Sequence, residues 1–529
     1  MPQDFNYDEL FFSIREFCLG YFDNYVYNEL PTHLIRISDM KLLSRNDIWG
    51  DLRPHVESMA IFDGDEDEKG EDEDEGEDEK EDEEESEDEE EAIWAYYKSR
   101  IHKLLRYAIL SHRWSNNEPE FYEMSSKRYG ERPMPTGPRF EKLRKFCEKA
   151  RDEYECAYAW SDTCCLNKES SMELEEAIRS MYRWYRDAYV CIVFLAKSFS
   201  IQDFWREPWF TRGWTLQELL APRRLRFFGA EWTPICPMAE VQFGDIPLSH
   251  DIEQVDDSFP YPNDKASDFM LNAISQVTGI QATTLRCFDR EKIALCEKMR
   301  WASNRNTTRV EDIAYCLLGI FDISIPIAYG EGGRAFYRLM EAIVQRSGDP
   351  TLFAWAGKPS PYSRALPSSP ACYINPLLRG LPLPVSFVRS GDPFYTVTKV
   401  GLQVKLLVVA VECVSVHRGN GSIRHELKSI DRALPQLIIT TSFGGDIYPT
   451  GSRFALGVVN YRRPSRRVQD DEAHGTLDAG QQYFCVLIDV PSGDPGPRLK
   501  IETGNILIIR CTEEFKGELE TVCLLHADW

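Results

Sequence analysis

Residues 158–218 read YAWSDTCCLNKESSMELEEAIRSMYRWYRDAYVCIVFLAKSFSIQDFWREPWFTRGWTLQE. A short apolar strand, YAW, runs into a polar turn, and Ser170 with Glu173 three positions on has the spacing of a capping box. Leu174, Ile178, Met181, Tyr185 and Ala188 then recur on one face, which predicts an amphipathic helix. The run YVCIVFLA is a second buried strand, and the Trp-rich segment after it sets a carboxylate, Glu218, at the start of another helix. Strand, helix, strand with polar residues gathered past the strand ends is the pattern of an α/β sheet, whose ligands sit beyond the carboxyl ends of its strands.

The pattern extends upstream. RYAILSHRW (106–114) is a compact apolar strand ending in polar residues, followed by a Pro- and Gly-rich loop from Asn116 to Pro138. Residues 140–154 carry Leu143, Phe146, Cys147 and Ala150 at helical spacing. A helix over Tyr7–Tyr27 and a strand, THLIRIS (32–38), precede all of this. These elements predict a parallel α/β core with flanking helices.

Downstream of Trp232 the pattern changes. Prolines at 234, 237, 247, 260 and 262 lead to expected helices near Lys265–Thr278 and Arg290–Trp301. Thr308 and Glu311 suggest a second capping box, opening a helix over EDIAYCLLGIF, and another amphipathic helix follows IPIAYGEGG. From about residue 354 the chain turns strand-like, with GLQVKLLVVAVECVSV, QLIITTSF, YFCVLIDV and NILIIRC, which predicts a β-sandwich or barrel. The expected divisions are 1–62, an acidic insert 63–91, an α/β domain 92–235, a helical extension 236–357 and a β-rich region 358–529.

Charge narrows the function classes. The net charge of −25 is concentrated in residues 63–91, where 23 acidic residues face Lys69 and Lys80, a local charge of −21 that leaves about −4 elsewhere. Such a run repels itself and buries nothing, so an extended, dispensable insert is expected. It reads as a solvated spacer, with docking to a basic partner as the alternative. No basic stripe marks a nucleic-acid interface, and no apolar run reaches the roughly 18–20 residues of a membrane span. The acidic start MPQDFNYDEL is unlike a secretory signal, and the 15 cysteines show neither C-x-x-C nor zinc spacing. A reducing, cytoplasmic setting without a metal site is the expectation.

The blocks RYAILSHRW, WSDTCCLNKESS with its helix, and WFTRGWTLQELLAP together resemble the three motif blocks of the fungal heterokaryon incompatibility (HET) domain. MRWASNRNTTRVEDIAYCLLGIFDISIPIAYGEGGRAFYRLMEAI (299–343) is similar to the segment that often follows that domain in fungal proteins. The resemblance covers about residues 30–357, apart from the acidic insert and variable loops. The HET family in turn resembles TIR domains, which implies a flavodoxin-like parallel sheet. Some TIR domains cleave NAD with a glutamate at the end of a Trp-rich segment, and Glu218 matches it by position.

The resemblance therefore implies a protein of self/non-self recognition, innate immunity and programmed cell death, working through NAD hydrolysis or as a non-catalytic module that assembles with itself or with another signalling protein. NAD would be a substrate, and no cofactor is implied. Physically, breaking a nicotinamide–ribose bond builds positive charge on the ribose, which a nearby carboxylate stabilises. Trp205, Trp209, Trp214 and Trp232 crowd around Glu218 in sequence. The plainer account makes Glu218 a first-turn residue favoured by the helix dipole and paired with Arg212.

The other candidates carry similar alternatives. Ser111, His112, Arg113 and Trp114 sit where a strand end could hold a phosphate, or could merely cap and pair. Asp162 and Thr163 suit ribose contact or a turn, and Arg212 and Trp214 complete the ligand-binding set. Ser111 with His112 does not make a hydrolase, because neighbours in a strand face opposite ways and no nucleophile elbow is present. Nothing nearby activates Cys164 or Cys165. The glycines of YGEGGRAF lack the Lys and Ser/Thr of a phosphate loop, and a tight turn accounts for them better.

Overall fold

The computed structural model describes residues 7–62, 82–115, 117–125, 137–240, 261–374, 395–419, 422–431, 434, 437–441, 447–462, 473–490, 497–501 and 504–526. Acidic residues 63–81 and loop residues 126–136 lie outside these, as do Pro247 and Pro260. Two units emerge by contact. One is Met1–Phe210 with Thr215–Phe288, and the other is Thr211–Trp214 with Asp289–Trp529. The division at Phe288 falls inside the stretch read from sequence as a single helical extension.

The first unit begins with α1 (Tyr7–Asn24), which runs on into a π-turn at Tyr25–Glu29. The hairpin β1 (His33–Arg36) and β2 (Lys41–Ser44) follows, then α2 (Arg45–Phe62) and α3 (Asp82–Leu104). Helix α3 starts within the acidic run, so its last ten residues are helical rather than extended. Glutamate is a good helix former and acidic side chains suit a helix N-terminus, while the apolar end docks. Trp94 packs on Phe17 of α1 at 4.3 Å between ring centroids, and His102 lies 2.7 Å from the Tyr21 hydroxyl.

The core sheet adds β3 (Tyr107–His112), then α4 (Phe121–Ser125), α5 (Pro138–Tyr154), β4 (Tyr158–Trp160), α6 (Ser171–Asp187), β5 (Val190–Phe194), α7 (Thr215–Leu220) and β6 (Leu225–Phe228). Its order is β2-β1-β4-β3-β5-β6. The four later strands are parallel as predicted, but the β1–β2 hairpin and its pairing to β4 are antiparallel, so the sheet is mixed. Every residue of β3 is buried, which accounts for its unbroken apolar run. Strands β4 and β5 flank β3 on opposite sides, making the carboxyl end of β3 a topological switch point of the sheet.

The helices bury the faces their periodicity predicts. Leu143, Phe146, Cys147 and Ala150 of α5 are buried, as are Ile178, Met181 and Tyr185 of α6. Tyr185 donates to the Leu110 carbonyl of β3 at 3.2 Å, which ties α6 to the central strand. The capping box is half formed. Ser170 accepts the Glu173 amide at 3.3 Å, but the Glu173 carboxylate turns to the Asn167 amide, Thr32 and His33. After β6 come α8 (Asp268–Thr278), three residues shorter at its start than predicted, and α9 (Ala282–Arg286).

The second unit opens on α10 (Leu295–Ala302), α11 (Asp312–Tyr315), α12 (Leu318–Phe321) and α13 (Arg334–Arg346). The expected capping box at Thr308 does not form, because the Glu311 carboxylate accepts the amides of Gly330 at 2.8 Å and Gly332 at 3.0 Å. This carboxylate fills the amide cradle ahead of α13, so the glycines make a turn, as the missing P-loop residues indicated.

Beyond a small hairpin, β7 (Pro359–Ser360) and β8 (Ser363–Pro367), lie β9 (Tyr395–Val397), β10 (Gly401–Gly419), β11 (Ser422–Ser429), β12 (Ile438–Thr441), β13 (Arg453–Val458), β14 (His474–Leu477), β15 (Gln482–Asp489), β16 (Leu507–Arg510) and β17 (Phe515–Leu525). They form a near-closed antiparallel barrel in which the 19-residue β10 pairs with β9, β11, β13 and β17. Leu407, Val409, Leu456, Leu487 and Phe515 fill its core. Of the two expected architectures, the barrel is the one adopted.

Candidate functional site

Strand β3 delivers Ser111 and His112 to the switch point, and the alternation of strand side chains sends them to opposite faces of the sheet. Ser111 is wholly buried, and its hydroxyl donates to Glu218 Oε2 at 2.5 Å. The Trp209 indole N–H donates to the same hydroxyl at 2.8 Å. Trp209 is itself fully buried and Glu218 is 4 % exposed, so a chain of indole, hydroxyl and carboxylate runs through the interior beneath the strand end. The Thr215 hydroxyl donates to the Trp209 carbonyl at 2.5 Å and fixes the start of α7.

On the other face, His112 Nε2 lies 3.8 Å from Glu118 Oε1, which also meets Lys142 of α5 and the hydroxyl and amide of Ser115. Serine and histidine thus serve different neighbourhoods, and the structure rules out a Ser111–His112 pair.

Arg113 and Trp114 lie at the surface. The Trp114 indole N–H donates to Asp162 Oδ2 at 2.7 Å, and Lys168 Nζ lies 3.8 Å from the centroid of its ring. Thr163 is buried with its hydroxyl 2.9 Å from that of Ser161, in a turn-forming role. The antiparallel register, Ile35 opposite Ala159, brings His33 to the carboxyl end of β4, where it meets Glu173 at 3.1 Å. Burial opposes ionisation of Glu173, but His33 and the Asn167 amide outweigh it and hold the carboxyl below its usual range.

Arg212 and Trp214 belong to the second unit. The Arg212 backbone bridges to Asn306, the Gly213 amide donates to the Asn306 carbonyl at 2.9 Å, and Trp214 donates to Asp312. Gly213 is required there, because a Cβ would sit 2.4 Å from Thr307 Cγ2. Within the first unit Trp205 is exposed, and Trp232 stacks on Phe194 with ring centroids 4.5 Å apart. Of the four clustered tryptophans, Trp209 is the one bonded to Ser111.

Cys164 and Cys165 are buried, and burial with the neighbouring Cys164 thiol pushes Cys165 well up, away from nucleophilic use. All 15 cysteines are free thiols. Among the described residues no cluster of three or more His, Cys, Asp or Glu could hold a metal, and no helix is long and apolar enough to cross a membrane.

Sequence reading passed over Trp209 as a site residue, along with Glu118, Lys142, His33 and Lys265. Trp209 alone left a signal, since it lies in the same Trp-rich block as Glu218. Glu118 lies in the loop just past His112, and the others come from distant segments, with no local pattern that pairs them with the site.

Residues 107–203 match the family described as "Heterokaryon incompatibility protein (HET)", a span that includes Ser111 and ends before Trp209 and Glu218. The chain is 37% identical over 258 residues to "Vegetative incompatibility protein HET-E-1" of Podospora anserina, an alignment covering 46% of this chain and 17% of the relative. The chain therefore spans a small part of that protein's length. No solved structure matches it. Strand β3, the α5–β4 and α6 segments and β5 are thus a HET domain, in a chain homologous to a vegetative incompatibility protein.

Proposed function

We propose that this protein acts in self/non-self recognition leading to programmed cell death, and that its α/β unit is a TIR-like domain that hydrolyses NAD. In the reaction, water adds to the ribosyl carbon as the nicotinamide–ribose bond breaks, releasing nicotinamide, ADP-ribose and a proton. Glu218 is the catalytic residue, its carboxylate stabilising the positive charge that develops on the ribose. Arg113, Trp114 and Asp162 serve the phosphates and rings of the substrate from the strand ends.

The observation that carries this reading is the Trp209–Ser111–Glu218 chain at the switch point of the sheet. A carboxylate held by a hydroxyl that is itself held by an indole is fixed in direction before substrate arrives, which is the condition for electrostatic catalysis. The strand order β4-β3-β5-β6 supports the TIR comparison, because it repeats the flavodoxin-like order 2-1-3-4 from β3 onward. Similarity to a vegetative incompatibility protein supports the biological setting. Self-association in the cytoplasm is the proposed mode of activation.

A second reading keeps the same setting without catalysis, and one observation favours it: Glu218 is 4 % exposed and Ser111 fully buried, as in a packed adaptor fold. Incubating the purified full chain with NAD and measuring nicotinamide release separates the two. Release by the parent and its loss in Glu218→Gln supports the enzyme, whereas no release from parent protein in its assembled form supports the adaptor.

A further inference from the structure

Asn263, Asp264 and Lys265 are each 1–2 % exposed, although all three are polar and two are charged. They clip onto the connection between α7 and β6. Asn263 Oδ1 accepts the amides of Leu225 at 3.2 Å and Lys265 at 3.0 Å, and its side-chain amide donates to the Arg223 carbonyl at 3.3 Å. Asp264 accepts the Phe227 amide at 2.7 Å and pairs with Arg226 at 3.1 Å. Lys265 reaches furthest. Its ammonium donates to the carbonyls of Leu220 at 3.1 Å and Pro222 at 2.6 Å, the last residue of α7 and the second beyond it.

Helix α7 has six residues, too few to hold itself, because a helix this short makes few internal hydrogen bonds for the residues it orders. Its ends decide whether it stays in place. Thr215 secures the first turn, and a cation on the last carbonyls satisfies their lone pairs and suits the helix dipole. Leu220 is two residues from Glu218, so what holds the end of the helix holds the carboxylate. The Cys191 thiol of β5 donates weakly to the Glu218 carbonyl at 3.9 Å and feels the charges of both Glu218 and Lys265.

We propose that Lys265 is a positioning residue for Glu218, fixing the carboxyl end of α7 so that the carboxylate stays on Ser111. Its catalytic consequence rests on the NAD reading, but its structural consequence does not. Placing an amine in the interior is unfavourable, and burial pushes Lys265 down to about 7, with Cys191 of β5 and Cys287 beyond α9 as the thiols that face it. An uncharged side chain would fill that space without this cost.

The test compares the full chain with Lys265→Met and Lys265→Arg by hydrogen exchange of amides 216–221, using amides of α6 as the internal reference. The Met variant is expected to exchange about tenfold or more faster at 216–221 with α6 unchanged, and Arg to restore most of the protection. In NAD turnover, Met should lower kcat by about tenfold or more with KM within about twofold, and Arg should recover it. Exchange at 216–221 and kcat both at parent values in a folded Met variant would overturn the proposal. If Met does not fold, Lys265→Gln takes its place, with loss of protection confined to 216–221 supporting the proposal and parent protection, or a loss spread over α6, overturning it. A parent that never releases nicotinamide removes the NAD reading and leaves the exchange result to stand by itself.

Discussion

Ser111 and Glu218 are 107 residues apart in the chain and 2.5 Å apart in the fold, with the serine hydroxyl donating to the carboxylate. Trp209 donates to the same hydroxyl, so the serine is the middle member of a three-residue chain. Changing any one of the three should be felt by the other two.

Glu218→Gln keeps size and an acceptor oxygen while removing the charge. NAD turnover should fall by about 100-fold or more, the scale of losing one preorganised electrostatic group. The melting temperature should move by only a few degrees, roughly what about 1 kcal/mol produces. Undiminished nicotinamide release from a folded Gln variant would remove Glu218 from the mechanism.

Ser111→Ala deletes the hydroxyl that binds both the indole and the carboxylate. Urea denaturation should show a loss of about 1–3 kcal/mol, because buried polar groups lose a partner. Trp209→Phe removes the N–H together with the pyrrole part of the fully buried indole, so its loss combines the broken bond with a cavity. A larger loss for Trp209→Phe than for Ser111→Ala would mean that packing of the indole matters more than its bond.

The rotation of α6 is tested by two alanines. Met181 is buried and Met181→Ala should cost about 2–5 kcal/mol in urea denaturation. Glu175 pairs with Arg179 at 2.5 Å on the exposed side, and such a pair contributes less than about 1 kcal/mol. The reverse ranking would contradict the packing of this helix.

In the second unit, Glu311→Ala empties the cradle formed by the Gly330 and Gly332 amides. Hydrogen bonds from its own backbone amide and from those of Gly332 and Gly330 hold the Glu311 carboxyl below its usual range. Chemical denaturation should show a loss of about 1–3 kcal/mol, and Glu311→Gln, which keeps an acceptor, should lose less. Equal losses would show that charge matters more than the hydrogen bonds.

Stability should rise with pH just above neutrality. Burial lowers Lys265 to about 7 and Lys298 to about 8, against about 10.4 in the unfolded chain. Between those values the unfolded chain binds a proton that the folded chain has released, so raising the pH favours folding. Buried thiols, Cys147, Cys156 and Cys191 among them, act oppositely above about pH 8.5, because burial raises them and the unfolded chain deprotonates first. Urea midpoints should therefore climb from about pH 7 to about 8.5, and more shallowly in Lys265→Met. Parallel profiles for the two proteins would mean that Lys265 does not titrate in this window.

Local pattern was enough to find the α/β core. The unbroken apolar runs of β3 and β5 and the 3.6-residue period of α6 reflect burial on both faces or on one, and burial is written into residue type. The polar residues just beyond β3 and β4 were legible for the same reason, as was Glu218 at the start of α7. Three features depended on the tertiary structure. The β1–β2 hairpin joined the sheet antiparallel because pairing partners are chosen by the whole fold rather than by either strand. Arg212 and Trp214 went to the second unit because Asn306 and Asp312 bind them there. Trp209 and Ser111 came to Glu218, and Lys265 came to the end of its helix, through hydrogen bonds between segments 45 to 107 residues apart. Such bonds leave no periodicity in the chain, because each needs only one donor and one acceptor brought together by packing elsewhere.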